Sequence, residues 1–152
     1  MLNQDFKDML SALSEEGVEY LVVGAFALAA HGLPRATGDI DLLVCPSLEN
    51  SRKVYRALQR FGSPVAGITP ETFSELGIIF QIGVPPRRID LITEIDGVSF
   101  AHAWSNRVPV TLDNQKVYIL SCQDMVTNKR AAGRPKDKVD LEWLENSLDL
   151  SR

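Results

Sequence analysis

The sequence is poor in disulfide-forming and metal-binding residues. Its 152 residues include only two cysteines and two histidines, too few for a disulfide framework or a cysteine-rich zinc site. His31 and His102 also lack the H-x-x-x-H spacing of helical zinc sites. We therefore do not expect a zinc enzyme, and we expect Cys45 and Cys122 to be small buried hydrophobic residues.

Long apolar runs are also missing. No apolar run reaches the roughly 18 residues that a membrane-spanning helix needs. Residues 1–10 lack the basic and then apolar order of a secretory signal. We therefore expect a soluble protein of the cytoplasm, with no membrane partner.

Positive charge is scarce too. Sixteen Lys and Arg residues against twenty Asp and Glu residues give a formal net charge of -4. Binding to DNA without sequence preference depends on many contacts between basic side chains and phosphates, so this balance argues against it. A chain of about 150 residues buries about 68–70% of the surface that its unfolded form exposes. We therefore predict a single domain over residues 1–152.

Helical and strand patterns alternate along the chain. Helical spacing of apolar residues predicts amphipathic helices at 2–14 and 48–61. Apolar, β-branched runs predict strands at 19–24 and 38–45, with a short helix between them. This alternation predicts an α/β (α+β) fold, in which helices flank a mixed β-sheet.

The second half of the chain continues the pattern. Two strands are predicted on either side of Pro85-Pro86, and a hairpin is predicted around Asp113-Asn114. Two helices, at about 122–148, end the chain and are expected to pack on the domain as a C-terminal helical tail. Pro135 suits the first position of the last helix.

Asp39-Ile40-Asp41 is the most informative motif. Alternate residues of a strand face the same side, so both carboxylates project together while Ile40 points into the core. Like charges held this close repel each other, and a divalent cation such as Mg²⁺ relieves the repulsion because it prefers oxygen ligands. Alternatively, the two acids are simply solvated at a strand end.

Asp90 lies in another predicted strand, within the apolar run 89–92. A lone acid there is costly unless a partner compensates it. If the two strands are adjacent, Asp90 joins Asp39 and Asp41, and three carboxylates suit one or two metal ions for phosphoryl-type transfer. Alternatively, Arg88 lies on the same face and forms an ion pair with Asp90.

Gly24 follows the first strand and precedes a helix. Helix N-termini favour phosphate, although a strand–glycine–helix turn is also ordinary turn chemistry. The glycines of a Walker loop and of a dinucleotide fingerprint are missing.

Basic residues concentrate near the C-terminus. Residues 129–138 contain five basic residues and one acidic residue, which is either a solvated surface or a set of cations that stabilises a polyphosphate leaving group. Arg35 has two similar interpretations. It either forms a local ion pair with Asp39 or supplies a cation for the phosphates.

Two stretches together resemble a known superfamily. Residues 23–44 read VGAFALAAHGLPRATGDIDLLV, and residues 128–141 read NKRAAGRPKDKVDL. The first stretch, with the later Asp90, resembles the signature of the DNA polymerase beta-like nucleotidyltransferases. The pattern is most similar to small, uncharacterised bacterial members of that superfamily, including members associated with toxin–antitoxin systems. The resemblance implies the mixed sheet of the nucleotidyltransferase fold.

The resemblance also implies residue roles. Gly24 would line the triphosphate, Asp39 and Asp41 would hold Mg²⁺ or Mn²⁺, and Asp90 would complete the metal site and help to activate the acceptor. Lys129 is similar to a lysine near the phosphates, and the residues that resemble the polar set after it are Arg134, Asp137 and Asp140.

Ala25 departs from the family, which usually has Gly or Ser there. The departure removes a hydroxyl donor to the phosphates but keeps the backbone N–H.

We therefore expect a metal-dependent nucleotidyltransferase that moves a nucleoside monophosphate from a nucleoside triphosphate to an acceptor hydroxyl and releases pyrophosphate. A small molecule, a protein hydroxyl and an RNA 3′ end all fit as the acceptor. The alternative is a nucleotide-binding or partner-binding module of toxin–antitoxin type, which has lost turnover and binds a helical partner protein. A third interpretation is a metal-dependent phosphohydrolase, in which water replaces the acceptor.

Overall fold

Within residues 2–150, which the computed structural model describes, β-strands and α-helices alternate. In chain order the elements are α1 (Gln4–Glu15), β1 (Tyr20–Val23), α2 (Gly24–Ala30), β2 (Asp39–Val44), α3 (Leu48–Phe61), a 3-10 turn (Thr72–Ser74), β3 (Ile79–Ile82), β4 (Arg88–Ile92), α4 (Phe100–Ser105), β5 (Val108–Leu112), β6 (Gln115–Ile119), α5 (Cys122–Ala132) and α6 (Asp137–Leu150). None of these helices is both long and apolar enough to cross a membrane.

The strands form one mixed sheet in the order β3-β4-β2-β1-β6-β5. The β2 strand lies near the centre, antiparallel to β1 and parallel to β4. The β1 and β6 strands are parallel, whereas β5 and β3 pair antiparallel with their neighbours at the two edges. The predicted fold class, a mixed sheet flanked by helices with a helical tail, is confirmed.

The strand β2 follows the predicted alternation only at its start. Ile40 is 1% exposed, whereas Asp39 and Asp41 on either side of it are half-buried. The rest of the strand, from Leu42 to Val44, is buried on both faces, as expected for a central strand of a covered sheet. The sheet therefore holds the two acids at the point where its apolar centre begins.

Local signals set the element boundaries. The side chain of Ser47 caps α3 by accepting a hydrogen bond from the backbone N–H of Asn50, and Gly62 ends the helix in a left-handed conformation. Asp113 and Asn114 both have positive φ, 46° and 69°, which a two-residue turn between twisted strands requires. The predicted helix at 48–61 and the predicted hairpin are confirmed.

Two smaller predictions are wrong. The last helix starts at Asp137 and not at Pro135, because Arg134, Pro135 and Lys136 form a turn in which the N–H of Asp137 donates to the carbonyl oxygen of Arg134 at 2.9 Å. Cys45 and Cys122 are half-buried and not fully buried. Cys45 lies just beyond β2, in the wall of a cavity.

Candidate functional site

The sheet register brings two of the predicted carboxylates together. Asp41 of β2 is the direct partner of Asp90 in the adjacent parallel strand β4. Paired residues of neighbouring strands are about 4.8 Å apart and share a face, so the two side chains lie next to each other. On the other side of β2, Asp41 pairs with Val23 at the end of β1. Asp41 is thus held between β4 and the turn that leads to Gly24.

The electrostatics of this pair are unfavourable when both acids are ionised. Burial, followed by the charge of the neighbouring Asp90 carboxylate, raises the pKa of Asp41 to about 6. Asp90 is itself 7% exposed. A cation between the two carboxylates would remove the repulsion, so the pair has the chemistry of a divalent-metal site.

Arg88 compensates part of this charge. Its Nε and Nη2 atoms donate to the two Asp90 carboxylate oxygens at 2.8 and 3.1 Å, and Nη2 also lies 3.3 Å from Oδ2 of Asp39. The ion pair between Arg88 and Asp90, which was the alternative interpretation of the sequence, is therefore present. Arg88 also connects Asp90 to Asp39, since it is the register partner of Asp39.

The three carboxylates of the metal-binding prediction are not equivalent in this arrangement. Asp41 and Asp90 are adjacent, whereas the carboxylate of Asp39 faces Arg88. Accordingly, no group of three His, Cys, Asp or Glu side chains among residues 2–150 converges on a common metal position. Asp39 would join the pair only if Arg88 released it.

Gly24 makes a close backbone approach to Asp41. Its φ is +67°, and a Cβ at this position would overlap the Asp41 carboxylate. Only glycine combines a positive φ with the missing side chain. Residue 24 therefore lies against the carboxylate, and its backbone forms part of the same surface.

One cavity of about 490 Å³ unites four of the predicted site residues. Gly24 and Asp41 line it on the sheet side, and Lys129 and Arg134 line it from α5 and the turn that follows. Glu94 and Asp96, which sequence reasoning did not single out, also contribute, as does Asn128, the first residue of the stretch 128–141. The only sequence signal for Glu94 and Asp96 was their position just after β4. The cavity therefore combines carboxylates and cations, as a site for a metal-bound polyphosphate would need.

The two cations belong to an ion-pair cluster that joins α5 to α6. Lys129 Nζ lies 2.9 Å from Asp137 Oδ1 and 3.4 Å from Asp140 Oδ2, and Arg134 Nε lies 2.7 Å from Asp137 Oδ2. Arg35 contacts Asp140 from the other side. Both acids are 2% exposed. The cluster fixes Lys129, whose side chain is 11% exposed, at the cavity wall.

Two predicted residues lie elsewhere. Ala25 and Arg35 line a different cavity, of about 340 Å³. Arg35 pairs with Asp140 and not with Asp39. The structure therefore does not bring Ala25 and Arg35 together with Asp41 and Lys129 in one cavity.

The ion-pair cluster predicts a pH dependence of stability. Burial opposes ionisation of Asp137, but hydrogen bonds from Arg134 and Lys129 outweigh it and lower its pKa to about 2. A lowered pKa stabilises the fold above the unfolded-state value of 3.8, and the gain is lost as the pH falls towards 2. Asp137→Asn should therefore lower the free energy of unfolding by about 2 kcal/mol at pH 7.

Denaturant unfolding between acidic and neutral pH measures this difference. The gap between the wild type and Asp137→Asn should be constant above about pH 5 and close between pH 4 and pH 2. Asp149→Asn, on the exposed side of the same helix, is the matched control and should leave the free energy of unfolding unchanged. A gap that is independent of pH would contradict the assigned ion pairs.

Comparison with known proteins bears on the family and the fold of the chain. A family model described as "Nucleotidyltransferase of unknown function (DUF6036)" matches residues 1–151. The chain belongs to this family. The family assignment supports nucleotidyl transfer as the general class of activity, whereas the resemblance to the wider polymerase beta-like superfamily stays a prediction.

A solved structure shows the same fold. It is a crystal structure at 1.87 Å resolution of a Thermotoga maritima protein whose assignment as a nucleotidyltransferase is provisional. The two proteins are 15% identical, the match covers 95% of this chain and 90% of that chain, and the TM-score is 0.57. At this identity the likeness establishes the fold. No curated protein matches the sequence.

Proposed function

We propose that the protein is a divalent-metal-dependent nucleotidyltransferase, which transfers a nucleoside monophosphate from a nucleoside triphosphate to an acceptor hydroxyl and releases pyrophosphate. One observation carries the proposal. Asp41, the neighbour of Asp90, shares a cavity with Gly24, Lys129 and Arg134. Carboxylates for a metal and cations for phosphates therefore meet at one place, in a chain whose family is described as nucleotidyltransferases.

Asp41 and Asp90 would hold Mg²⁺ or Mn²⁺, with Asp39 as a third ligand once Arg88 releases it. A bound divalent cation neutralises phosphate charge and polarises the phosphoryl oxygens. Lys129 and Arg134 bind the β- and γ-phosphates and stabilise the charge that develops on the leaving pyrophosphate. Because Gly24 has no side chain, the polyphosphate can approach the end of β1.

The transfer forms one bond and breaks one. The acceptor oxygen attacks the α-phosphorus, the bond from the α-phosphorus to the bridging oxygen breaks, and the pyrophosphate takes the electron pair. Asp90 orients the acceptor hydroxyl and receives its proton, which then passes to solvent. Catalysis comes from positioning and electrostatics without a covalent enzyme intermediate.

Lys129 provides a test of nucleotide binding. Lys129→Met should weaken the binding of ATP about tenfold, because a charge-assisted contact to phosphate is lost. Arg134→Met should act in the same direction, and it also removes the two hydrogen bonds from Arg134 to Asp137. Lys136→Met is the matched control, since Lys136 is exposed in the same segment and lies outside the cavity lining. Isothermal titration calorimetry measures the dissociation constants, and equal losses in all three variants would contradict the assignment.

The acceptor can be found by label transfer. The protein is incubated with α-labelled triphosphates, Mg²⁺ or Mn²⁺ and a bacterial lysate, and the labelled species are separated by size and chemistry. Covalent labelling of an acceptor with release of pyrophosphate supports the proposal. A protein that binds nucleotide but labels nothing under these conditions contradicts it.

The position of Arg88 favours a second candidate, a nucleotide-binding module without turnover that serves a partner protein. Arg88 already contacts Asp39 and Asp90, so the site is partly neutralised by the chain itself. This candidate predicts nucleotide binding that does not require a divalent cation. The first candidate predicts that chelation by EDTA abolishes tight binding.

A further inference from the structure

A second cavity, of about 720 Å³, adjoins the proposed nucleotide cavity. The two share Glu94 and Ile95 in their walls. Leu43, in the wall of the second cavity, follows Asp41 by two residues on β2 and therefore faces the same side of the sheet. Two residues of a strand span about 7 Å, so the second cavity begins within a small molecule's length of the carboxylates.

The walls of this cavity are mainly apolar. The rings of Phe100 and Trp104 stack with centroids 5.6 Å apart and an interplanar angle of 20°, and both rings line it. Pro46 and Val98 add apolar surface, and Leu76 is 63% exposed although it lines the cavity. Small-molecule sites commonly enclose about 300–1,000 Å³ with such walls. The second cavity therefore has the size and lining of a site for a compact organic ligand.

The two cavities differ in the charged side chains of their walls. Among the described residues that line the second cavity, the charged side chains are the acids Glu19 and Glu94, and neither a lysine nor an arginine contributes. The first cavity contains the cations Lys129 and Arg134 beside the acids Asp41, Glu94 and Asp96. Among these lining residues, the cations that can bind phosphate groups therefore belong to the first cavity, whereas the second cavity favours a positively charged ligand group.

The geometry of in-line transfer calls for such a second compartment. The attacking oxygen and the leaving pyrophosphate lie on opposite sides of the α-phosphorus, so the acceptor cannot share the space that the leaving phosphates occupy. The adjoining acidic and aromatic cavity supplies separate space next to Asp41. An RNA end would bring its own phosphates against Glu19 and Glu94 and does not suit these walls.

We infer that the second cavity binds the acceptor, and that the acceptor is a small molecule with an aromatic or alicyclic body, a protonated amine and the hydroxyl that attacks. The inference rests on the proposed nucleotidyl transfer. The apolar body packs on Phe100 and Trp104, and the amine is attracted by Glu19 and Glu94. The hydroxyl then points along β2 towards Asp41.

Three model compounds test the inference by binding alone. They share one biphenyl body and carry an amino alcohol, a simple alcohol or a hydroxy acid. Binding is read from the fluorescence of Trp104 in a Trp143→Phe background, with no nucleotide present. The amino alcohol should bind about tenfold more tightly than the hydroxy acid, with the alcohol between them. Glu19→Gln should reduce the preference for the amino alcohol over the alcohol by at least about twofold.

A variant with a larger side chain in the cavity wall tests where the compounds bind. Ala101 is exposed and lines the cavity, so Ala101→Phe should weaken the binding of all three compounds about tenfold. Ala66→Phe, at an exposed position outside the lining, should change nothing. Equal binding of the three compounds, tighter binding of the hydroxy acid, no binding of any of them, or displacement by adenosine or guanosine would overturn the inference. Failure of label transfer would count instead against the proposed function, because this assay contains no nucleotide.

Discussion

Asp41→Asn is expected to reduce nucleotidyl transfer at least about 10³-fold, because it removes one of the two adjacent carboxylates of the proposed metal site. Asn keeps the shape of the side chain but carries no charge and ligates Mg²⁺ weakly. The rate of label transfer from an α-labelled triphosphate, at saturating Mg²⁺, measures the effect. Asp90→Asn should have an effect of similar size, since the two acids are register partners.

The fold should tolerate this change. The carboxylates of Asp41 and Asp90 repel each other in the absence of a cation, so Asp41→Asn should be at least as stable as the wild type in thermal unfolding. Mg²⁺ should raise the Tm of the wild type but not that of the variant, since only a bound ligand stabilises the folded state. Asp149→Asn, an exposed acid on α6, should retain full activity. Turnover of Asp41→Asn within tenfold of the wild type would exclude Asp41 from the reaction.

Gly24→Ala is expected to lower both activity and stability. Alanine at a positive φ costs about 1–2 kcal/mol, and its Cβ would overlap the Asp41 carboxylate. We expect a total loss of about 3 kcal/mol in the free energy of unfolding. Displacement of the carboxylate should lower the rate of transfer at least about 10²-fold, since misplacement by about 1 Å has effects of that size.

Gly17→Ala separates the two causes. Gly17 has a φ of +72°, close to that of Gly24, but nothing lies within 4 Å of a Cβ at this position. Gly17→Ala should therefore lower the free energy of unfolding only by the conformational contribution, about 1 kcal/mol, and should keep full activity. If the two variants lost equal stability and both kept their activity, the close approach of Gly24 to Asp41 would have no functional role.

Local patterns predicted the part of the site that lies on single strands. The alternation of Asp39, Ile40 and Asp41 was enough to place both acids on one face, because the side-chain period of a strand is fixed. Ile40 is buried as this pattern requires. The pairing of Asp41 with Asp90 and of Asp39 with Arg88 needed the register between β2 and β4, which no local pattern of either strand contains.

Contacts over long sequence distances account for the rest. The ion pair between Arg35 and Asp140 joins a loop to the last helix, and only the packing of α6 brings these residues together. The burial of Asp137 and Asp140 likewise follows from the docking of α6 on α5, so a basic segment that resembled a solvated surface contains a buried ion-pair cluster. Ion pairing also accounts for the start of α6 at Asp137 instead of Pro135, because Lys129 and Arg134 hold the Asp137 carboxylate.

The second cavity was not predictable from sequence. Its walls come from Glu19 just before β1, from β2 and the two residues after it, from Leu76, from the segment after β4 and from α4. These parts are far apart in sequence, and most of their lining residues are of types that are common in a core. Phe100 and Trp104 are four apart on a short helix, a spacing that is equally typical of core packing. Their role as a cavity wall depends on the space that the turn at 94–99 leaves open beside them.

Parallel reactions with α-labelled and γ-labelled ATP distinguish nucleotidyl transfer from phosphate hydrolysis. The wild type, Asp41→Asn and a reaction with EDTA are compared in the presence of the lysate that contains the acceptor. If the protein is a metal-dependent nucleotidyltransferase, the α-label becomes attached to an acceptor and the γ-label leaves as pyrophosphate. Both results are expected for the wild type with Mg²⁺, and neither is expected for Asp41→Asn or with EDTA. Release of the γ-label as free phosphate without a labelled acceptor, or label transfer that persists in Asp41→Asn, would contradict this function.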